Sequence, residues 1–393
     1  MRRRWTDGWI GLAGLAVAGL LAGAASAAEP IKIGLVAALS GQAAKSGEGI
    51  TRGLTAAIDE VNAAGGLLGG RPLELVRRDD ESNPSKGQIA ARELIDSEHC
   101  VALIGGIDSP VSLAIVPLIN KAQVPFMGVW AAATNITRNG ADPNFAFRVS
   151  AVVVLVDKAL VQYALKAYGV KSPGLMLINN PWGESNDKGL TAALEELKLK
   201  RAGAEKFEDK DVDMVPQLTR LKSAGADAVF LIANPAPGSQ VMKSIQRMGW
   251  AVPVVSHWGI SGGRFPELAG SMAEKVDFVQ TYSFFGPQND VGKKLIAALM
   301  AKYPDIKGPG DILPPVGVAN AYDAMHLVAL GIAKAGATDG DKIRLALQDI
   351  DSYHGLIKDY KKPFSATNHD ALNEHDYVMV RYEGESIKPL AMK

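Results

Sequence analysis

Cysteine is nearly absent from this chain, since Cys100 is the only one among 393 residues. A single cysteine cannot form a disulfide within the chain. Cys100 stands directly before an apolar run that begins at Val101, which favours a small buried hydrophobic residue over a reactive thiol. The fold must therefore be stabilised by packing, and 47% of the residues are hydrophobic.

An excess of either charge is also lacking, because 42 Lys and Arg residues are matched by 42 Asp and Glu residues. The sequence therefore offers no basic field that would attract nucleic acid, and no polybasic segment beyond the amino terminus that would hold a membrane surface. His369 and His375 show no recognised metal-ligand spacing. We expect neither a metal nor another cofactor.

Long apolar runs are confined to the amino terminus. Arg2, Arg3 and Arg4 precede an apolar run over residues 9–25, which closes on Ala25-Ser26-Ala27. This order is typical of a secretory signal peptide, here residues 1–27. A membrane anchor is the alternative, but the run is broken by Gly and Ala, it is short for a span of ~20 residues, and no later segment approaches that length. We expect an exported, periplasmic protein.

Strands and helices alternate regularly in the rest of the chain. Apolar runs at 31–39, 73–76, 101–105 and 124–130 predict strands, and residues with helical spacing lie between them. The alternation restarts after residue 149. The chain after the leader has about 365 residues, which is more than a single hydrophobic core usually supports. This pattern predicts the α/β class, with two doubly wound lobes, each built on a parallel sheet.

A late extended segment, residues 377–382, returns to one of the lobes, so three crossings between the lobes are expected. We place these hinges near Arg148, Thr281 and His354. The first lobe is then residues 29–148 plus 281–354, and the second is residues 149–280 plus 355–393.

A binding site is predicted where two neighbouring strands of the first lobe end. Ser109, with Pro110 after it, is placed to cap a helix, and the loop Ala132-Ala133-Thr134 follows the next strand. A helix amino terminus at this edge of a parallel sheet offers free N–H groups to an anion, which indicates a site of carboxylate size. The alternative is that Ser109 is only a cap and Thr134 only a turn hydroxyl.

The strand-end loops of the second lobe carry aromatic and amide side chains. These are Trp182, Asn234, His257 and Trp258. They would form a wall facing the hydroxyl-lined loops of the first lobe, so the crevice between the lobes is the expected ligand site.

An enzyme is the competing interpretation, because Gly259-Ile260-Ser261-Gly262-Gly263 satisfies the pattern G-x-S-x-G after a strand. A nucleophile elbow requires a helix directly after the serine, and Gly262, Gly263 and Pro266 oppose one. We therefore expect a binding protein, not an enzyme.

Several segments resemble the leucine/isoleucine/valine-binding family of periplasmic solute-binding proteins. They are Ile33-Gly34-Leu35-Val36, Leu39-Ser40-Gly41, Asp59-Glu60-Val61-Asn62-Ala63-Ala64-Gly65-Gly66, Ile104-Gly105-Gly106 with Ser109, Ala132-Ala133-Thr134-Asn135, Trp182-Gly183 and Asn320-Ala321-Tyr322-Asp323-Ala324. The resemblance covers nearly the whole chain after the leader. It implies two lobes that close on a small ligand and deliver it to the permease and ATPase subunits of an ABC transporter.

The resemblance also assigns roles to individual residues. Ser109 and Thr134 match the positions whose hydroxyls and amides hold the ligand carboxylate, and Ala132 adds a backbone contact. Trp182 stands where amino-acid binders usually have Tyr. A ligand-sensing receptor subunit would share these features, and neighbouring permease and ATPase genes would distinguish transport from sensing.

Three positions depart from the family pattern. Ser46 stands where an aromatic residue is common, Asn234 stands about where another Tyr is expected, and Trp258 replaces the acid that pairs with the ligand ammonium. An unpaired buried ammonium costs several kcal/mol. We therefore expect a small carboxylate with an aromatic or apolar body. The alternative is a hydrophobic amino acid, with Asp108 supplying the missing charge.

Overall fold

Two sheets form the cores of two lobes in the computed structural model, which describes residues 28–390. The predicted signal peptide lies outside the described residues. The first sheet has the order β2-β1-β3-β4-β5 and is parallel throughout. Its strands are β1 (Ile31–Ala37), β2 (Leu73–Asp79), β3 (Ala102–Gly105), β4 (Phe126–Gly128) and β5 (Ala146–Arg148).

Three helices connect the strands of the first sheet, in the alternation that the sequence predicts. They are α1 (Ala44–Ala63), α2 (Pro84–Arg92) and α3 (Ser109–Ala122). Every residue of β3 is buried, because a parallel sheet that is covered on both faces takes continuous apolar runs. Cys100 is 4% exposed, which confirms the prediction of a buried residue, and burial raises the pKa of its thiol to about 12.

The second lobe has a seven-stranded sheet of order β14-β13-β10-β9-β8-β6-β7. The remaining strands of the chain are β6 (Gly174–Ile178), β7 (Gly203–Phe207), β8 (Val229–Ile232), β9 (Val254–Ser256), β10 (Val276–Gln280), the small hairpin β11 (Ser352–His354) with β12 (Asp359–Lys361), β13 (Val378–Glu383) and β14 (Ser386–Pro389). Strands β6 to β10 are parallel, whereas β13 pairs antiparallel with β10 and β14 with β13. The end of the chain therefore adds an antiparallel edge to a sheet for which only parallel strands were predicted.

The remaining helices cover both lobes. They are α4 (Val153–Tyr168), α5 (Pro181–Glu196), α6 (Val215–Ser223), α7 (Pro235–Arg247), α8 (Phe265–Ala269), α9 (Asp290–Lys302), α10 (Pro315–Ala335) and α11 (Gly340–Gln348). Helix α10 is long and apolar enough to cross a membrane, contrary to the expectation that no segment after the leader is. It packs along α1 instead, and 83% of its apolar window is buried inside the protein.

The third crossing lies later in the chain than predicted. After His354 the chain stays on the first lobe, where the Tyr360 hydroxyl donates to Asp323 on α10 at 2.8 Å and a His369 ring nitrogen lies 2.9 Å from the Ala146 carbonyl oxygen. The Ala371 N–H then donates to the Arg148 carbonyl oxygen at 2.9 Å, beside the end of β5. The predicted boundary at His354 is therefore too early, and residues 355–370 belong to the first lobe.

Candidate functional site

A cavity of about 20 Å³ lies between the two lobes, beyond the ends of parallel strands of both sheets. The first lobe lines it with residues 107–110, at the start of α3, and residues 130–132, which follow β4. The second lobe contributes Asn180, Trp182, Asn234, Trp258 and Gly259. Both loop regions that the sequence singled out in the first lobe thus meet the facing wall of the second.

The start of α3 forms one side of the cavity. Asp108, not Ser109, occupies the cap position, and the Asp108 side chain makes no capping hydrogen bond. Ser109 is instead the first helical residue, and its Oγ accepts a hydrogen bond from the Ala133 N–H at 3.2 Å. The cap assignment from sequence is thus one residue late. The helix still presents its positive end to the cavity.

The loop after β4 contributes less to the cavity than its sequence suggested. Ala132 lines the cavity, but Ala133 and Thr134 do not. The Thr134 N–H donates to the Ser185 hydroxyl at 3.3 Å, and the Ser185 hydroxyl lies 3.4 Å from Thr134 Oγ1. Since Ser185 is on α5, Thr134 fastens the first lobe to the second in this closed arrangement.

Two tryptophans dominate the opposite side. Trp182 lies in the first turn of α5, which is capped by Asn180: its side-chain oxygen accepts from the N–H groups of Trp182 at 2.9 Å and Gly183 at 3.1 Å. This cap explains why α5 begins at Pro181. Trp258 follows β9 and is 1% exposed.

His257 lies next to both indoles but outside the cavity lining. Its ring centroid is 4.0 Å from that of Trp258 and 5.4 Å from that of Trp182. Neither ring nitrogen has a hydrogen-bond partner among the described residues. Burial lowers the pKa of His257 to about 3, so the ring is neutral at pH 7. In this structure His257 packs against the two indoles, and the ligand contact suggested by the sequence stays a prediction.

Ser46 is likewise a contact between the lobes. Its hydroxyl donates to the Gly262 carbonyl oxygen at 2.8 Å, and it does not line the cavity. A Cβ placed on Gly262 would lie 2.1 Å from Ser46 Oγ and 3.1 Å from Trp130 Cζ2. The two lobes therefore meet here through a glycine that leaves no room for a side chain.

Asp108 and Asn234 face each other across the cavity. The Asn234 amide donates to Asp108 Oδ1 at 3.4 Å, while Oδ2 is buried and has no partner among the described residues. Burial raises the pKa of the Asp108 carboxyl above its ordinary value. No Lys, Arg or His is among the residues that line the cavity.

Six residues that line the cavity were not among the predicted site residues: Ile107, Pro110, Trp130, Ala131, Asn180 and Gly259. Trp130 was assigned to a strand over residues 124–130, but β4 ends at Gly128. The rule that singled out Ala132, a position just beyond a strand end, applies equally to Trp130 and Asn180.

Ser261, the residue in the G-x-S-x-G pattern, is not presented as a nucleophile. It lies in a 3-10 turn over Trp258–Gly262 and donates its hydroxyl hydrogen to the Trp258 carbonyl oxygen at 2.6 Å. The next helix, α8, begins only at Phe265. Residues 28–390 also contain no group of three or more His, Cys, Asp or Glu arranged to hold a metal ion.

Comparison with known proteins gives consistent matches over almost the whole chain. A family model described as periplasmic binding protein matches residues 30–386. Leu/Ile/Val-binding protein homolog 3 of Brucella melitensis is 24% identical over 84% of this chain and 85% of its own length.

Solved structures share the fold. A type 1 periplasmic binding protein from Bordetella pertussis superposes with a TM-score of 0.83 at 24% identity, covering 93% of this chain and 100% of that one. A solute-binding protein of an ABC transporter from R. palustris, in complex with benzoate, has a TM-score of 0.77 at 24% identity, over 92% of this chain and 95% of that one.

Proposed function

This chain belongs to the periplasmic binding protein family, and from that premise we propose that it is the substrate-binding subunit of an ABC transporter, working in the periplasm. The two lobes and the cavity between them support this role. The relatives are named as Leu/Ile/Val-binding proteins, which supports delivery of the ligand to a membrane permease driven by ATPase subunits.

The ligand we propose is a small carboxylate with an aromatic or apolar body. The supporting observation is that one cavity joins the amino terminus of α3, with Ser109, to Trp182 and Trp258 on the facing lobe. Helix N–H groups and a hydroxyl suit a carboxylate, and each indole can bury ~150 to 250 Å² against an apolar body. The structural relative from R. palustris binds benzoate.

Ligand entry requires the lobes to separate. A cavity of about 20 Å³ holds little more than a water molecule, which needs ~10 to 15 Å³. The polar contacts between the lobes that flank it, from Ser46 to Gly262 and from Thr134 to Ser185, are ordinary hydrogen bonds. Hinge motion that breaks and remakes such contacts is how two-lobed binding proteins capture a ligand.

A thermal-shift screen of the exported protein followed by calorimetry tests the proposal. The probes are benzoate, 4-hydroxybenzoate, 3-phenylpropionate, phenylalanine and leucine, with benzyl alcohol as the control that keeps the ring and lacks the carboxylate. At least one carboxylate is expected to raise Tm by mass action, and benzyl alcohol is not. Binding of benzyl alcohol as tight as that of benzoate would refute a carboxylate site.

A further inference from the structure

Asp108 is an acid that lines the cavity without a basic partner. It stands at the start of α3 but does not cap the helix. Its Oδ2 is buried and makes no hydrogen bond to any described residue, and Oδ1 lies 3.4 Å from the Asn234 amide, longer than most hydrogen bonds of this type. Such surroundings are strongly unfavourable for an ionised carboxylate and favour the neutral acid.

The ionisable groups that face Asp108 are also acids. Asp80, on the turn after β2, is 1% exposed, and its Oδ2 is buried without a partner among the described residues. Asp209, on the loop after β7 of the facing lobe, is exposed and interacts with the charge of Asp108. Ser82 and Asn234 are neutral neighbours. Burial raises the pKa of the Asp108 carboxyl, and burial together with the charge of Asp108 raises that of Asp80 to about 7.

The second lobe brings no compensating charge to the cavity. Its lining residues are amides, indoles and a glycine: Asn180, Trp182, Asn234, Trp258 and Gly259. Glu184, in the first turn of α5, is exposed and does not line the cavity, and His257 is neutral. A ligand carboxylate at Ser109 would therefore meet the charge of Asp108 with no cation between them. A proton shared by the two carboxyl groups removes this repulsion.

We propose that the closed site takes up one proton together with a carboxylate ligand, and that Asp108 holds this proton and donates a hydrogen bond to the ligand carboxylate. This inference rests on the proposed function and deepens it. The proton comes from solvent and binds to Asp108 as the lobes close, so Asp108 and the ligand together carry one negative charge. Ser109 and the N–H groups at the start of α3 stabilise that charge. The ligand needs no cationic group.

Calorimetry on the wild-type protein tests this with benzoate and, as a second probe, 3-phenylpropionate. Titrations at pH 6.0 in buffers of different ionisation enthalpy count the protons taken up on binding, and a value near one is expected. Benzoate is ionised throughout the range from pH 5.5 to 8. Its Kd should rise at least about tenfold across this range, because the complex binds one more proton than the free protein does.

Two variants of Asp108 separate its proton from its charge. Asp108→Asn is neutral at every pH and keeps a hydrogen-bond donor, so benzoate should bind without proton uptake and with nearly the same Kd at pH 5.5 and pH 8. At pH 8 this variant should bind at least as tightly as the wild type. Asp108→Leu lacks the donor, and its Kd at pH 5.5 should exceed that of Asp108→Asn at least about tenfold.

Two further variants serve as controls on neighbouring acids. Asp80→Asn removes the other buried acid, and proton uptake should stay near one. Glu81→Gln removes an exposed acid on the same turn, which pairs with Lys86 at 2.6 Å. Its profile of Kd against pH should match that of the wild type.

The possible outcomes separate this inference from the proposed function. If a carboxylate probe binds without proton uptake and with a Kd that does not depend on pH, the inference is wrong and the proposed function stands. The inference is also wrong if proton uptake is lost in Asp80→Asn and kept in Asp108→Asn, or if Asp108→Leu binds as tightly as Asp108→Asn. If neither probe binds at any pH, the proposed function fails and this inference fails with it. The wild-type titrations decide the matter even if a variant does not fold.

Discussion

At the scale of single residues, some residues that line the cavity could be identified from the sequence and others could not. Ser109 was identified because a hydroxyl residue before a helix is a strong local pattern. This pattern does not decide whether Asp108 or Ser109 is the cap, since both residue types cap helices. His257 and Trp258 both follow β9, and only tertiary packing determines that the indole reaches the cavity while the imidazole packs beside it.

Replacing Ser109 by alanine should weaken carboxylate binding without unfolding the protein. Loss of one hydrogen bond to a charged group costs about 1.5 to 3 kcal/mol, which is roughly a ten- to 150-fold rise in Kd. Calorimetry with the tightest carboxylate probe measures the change. Ser112→Ala is the control, because Ser112 is buried one turn later in α3 and its hydroxyl has no partner among the described residues. Equal losses in the two variants would argue against a ligand contact at Ser109.

At the scale of elements, the sequence predicted strands and helices well where periodicity was strong, and poorly where tertiary contacts decide. The edge strand β7 alternates exposed and half-buried residues and was not predicted. The segment after His354 was assigned to the second lobe because it reads as extended chain, but Asp323 on α10 accepts hydrogen bonds from Leu356, Ile357 and Tyr360 and holds it on the first. No local pattern predicts such distant partners.

The first and third crossings are joined by a buried ion pair. Arg148 is fully buried, its Nε and Nη2 donate to Asp370 Oδ1 at 2.9 and 2.7 Å, and its Nη1 donates to the Ala133 carbonyl oxygen at 3.1 Å. Thr137 also donates to Asp370, at 2.8 Å. The guanidinium therefore ties the segment around Asp370 to the loop that follows β4.

Asp370→Asn should lower the free energy of unfolding by about 3 to 5 kcal/mol, because it leaves a buried guanidinium without its counter-charge. Denaturant titration measures this loss. Replacing both partners, as in Arg148→Met with Asp370→Leu, should cost less than either single change. A double variant as unstable as the sum of the singles would show that the two side chains act independently.

The same pair gives the protein an acid dependence. Burial raises the pKa of the Asp370 carboxyl, but the charge of Arg148 and the hydrogen bonds outweigh it, so the net pKa is lowered. The unfolded chain then binds the proton more readily, and the stabilisation present above about pH 4 is lost as pH falls through the folded pKa. The slope of stability against pH in this range should be shallower in Asp370→Asn.

At the scale of the whole molecule, closure brings together surfaces that are distant in sequence, such as Ser46 with Gly262. Sequence reasoning predicted two lobes with a cleft between them, which the structure and its relatives confirm. Ser46 was singled out through the family resemblance, which places it where an aromatic residue is common. Whether such a residue contacts the ligand or the other lobe is determined by how the two lobes pack together, and the sequence alone does not show this.

Gly262→Ala should hinder closure without touching the ligand. Its Cβ would lie 2.1 Å from Ser46 Oγ, so the closed state becomes less populated and the apparent Kd should rise at least about tenfold. X-ray scattering should show that the wild type becomes more compact at a saturating carboxylate probe, and that the variant does so less. Gly308→Ala is the control, because a Cβ there meets nothing within 4 Å. Unchanged compaction in Gly262→Ala would contradict this account.

The antiparallel strand β13 has a consequence for how the chain acquires its structure. It pairs with β10 through partners such as Asp277 and Arg381, which are separated by 104 positions, and it covers an edge of β10 that would otherwise expose unpaired N–H and C=O groups. Contacts of such long range form slowly. During synthesis β10 therefore remains an unpaired edge strand until the last residues of the chain emerge. A chaperone that covers this edge would protect the unfinished chain from aggregation.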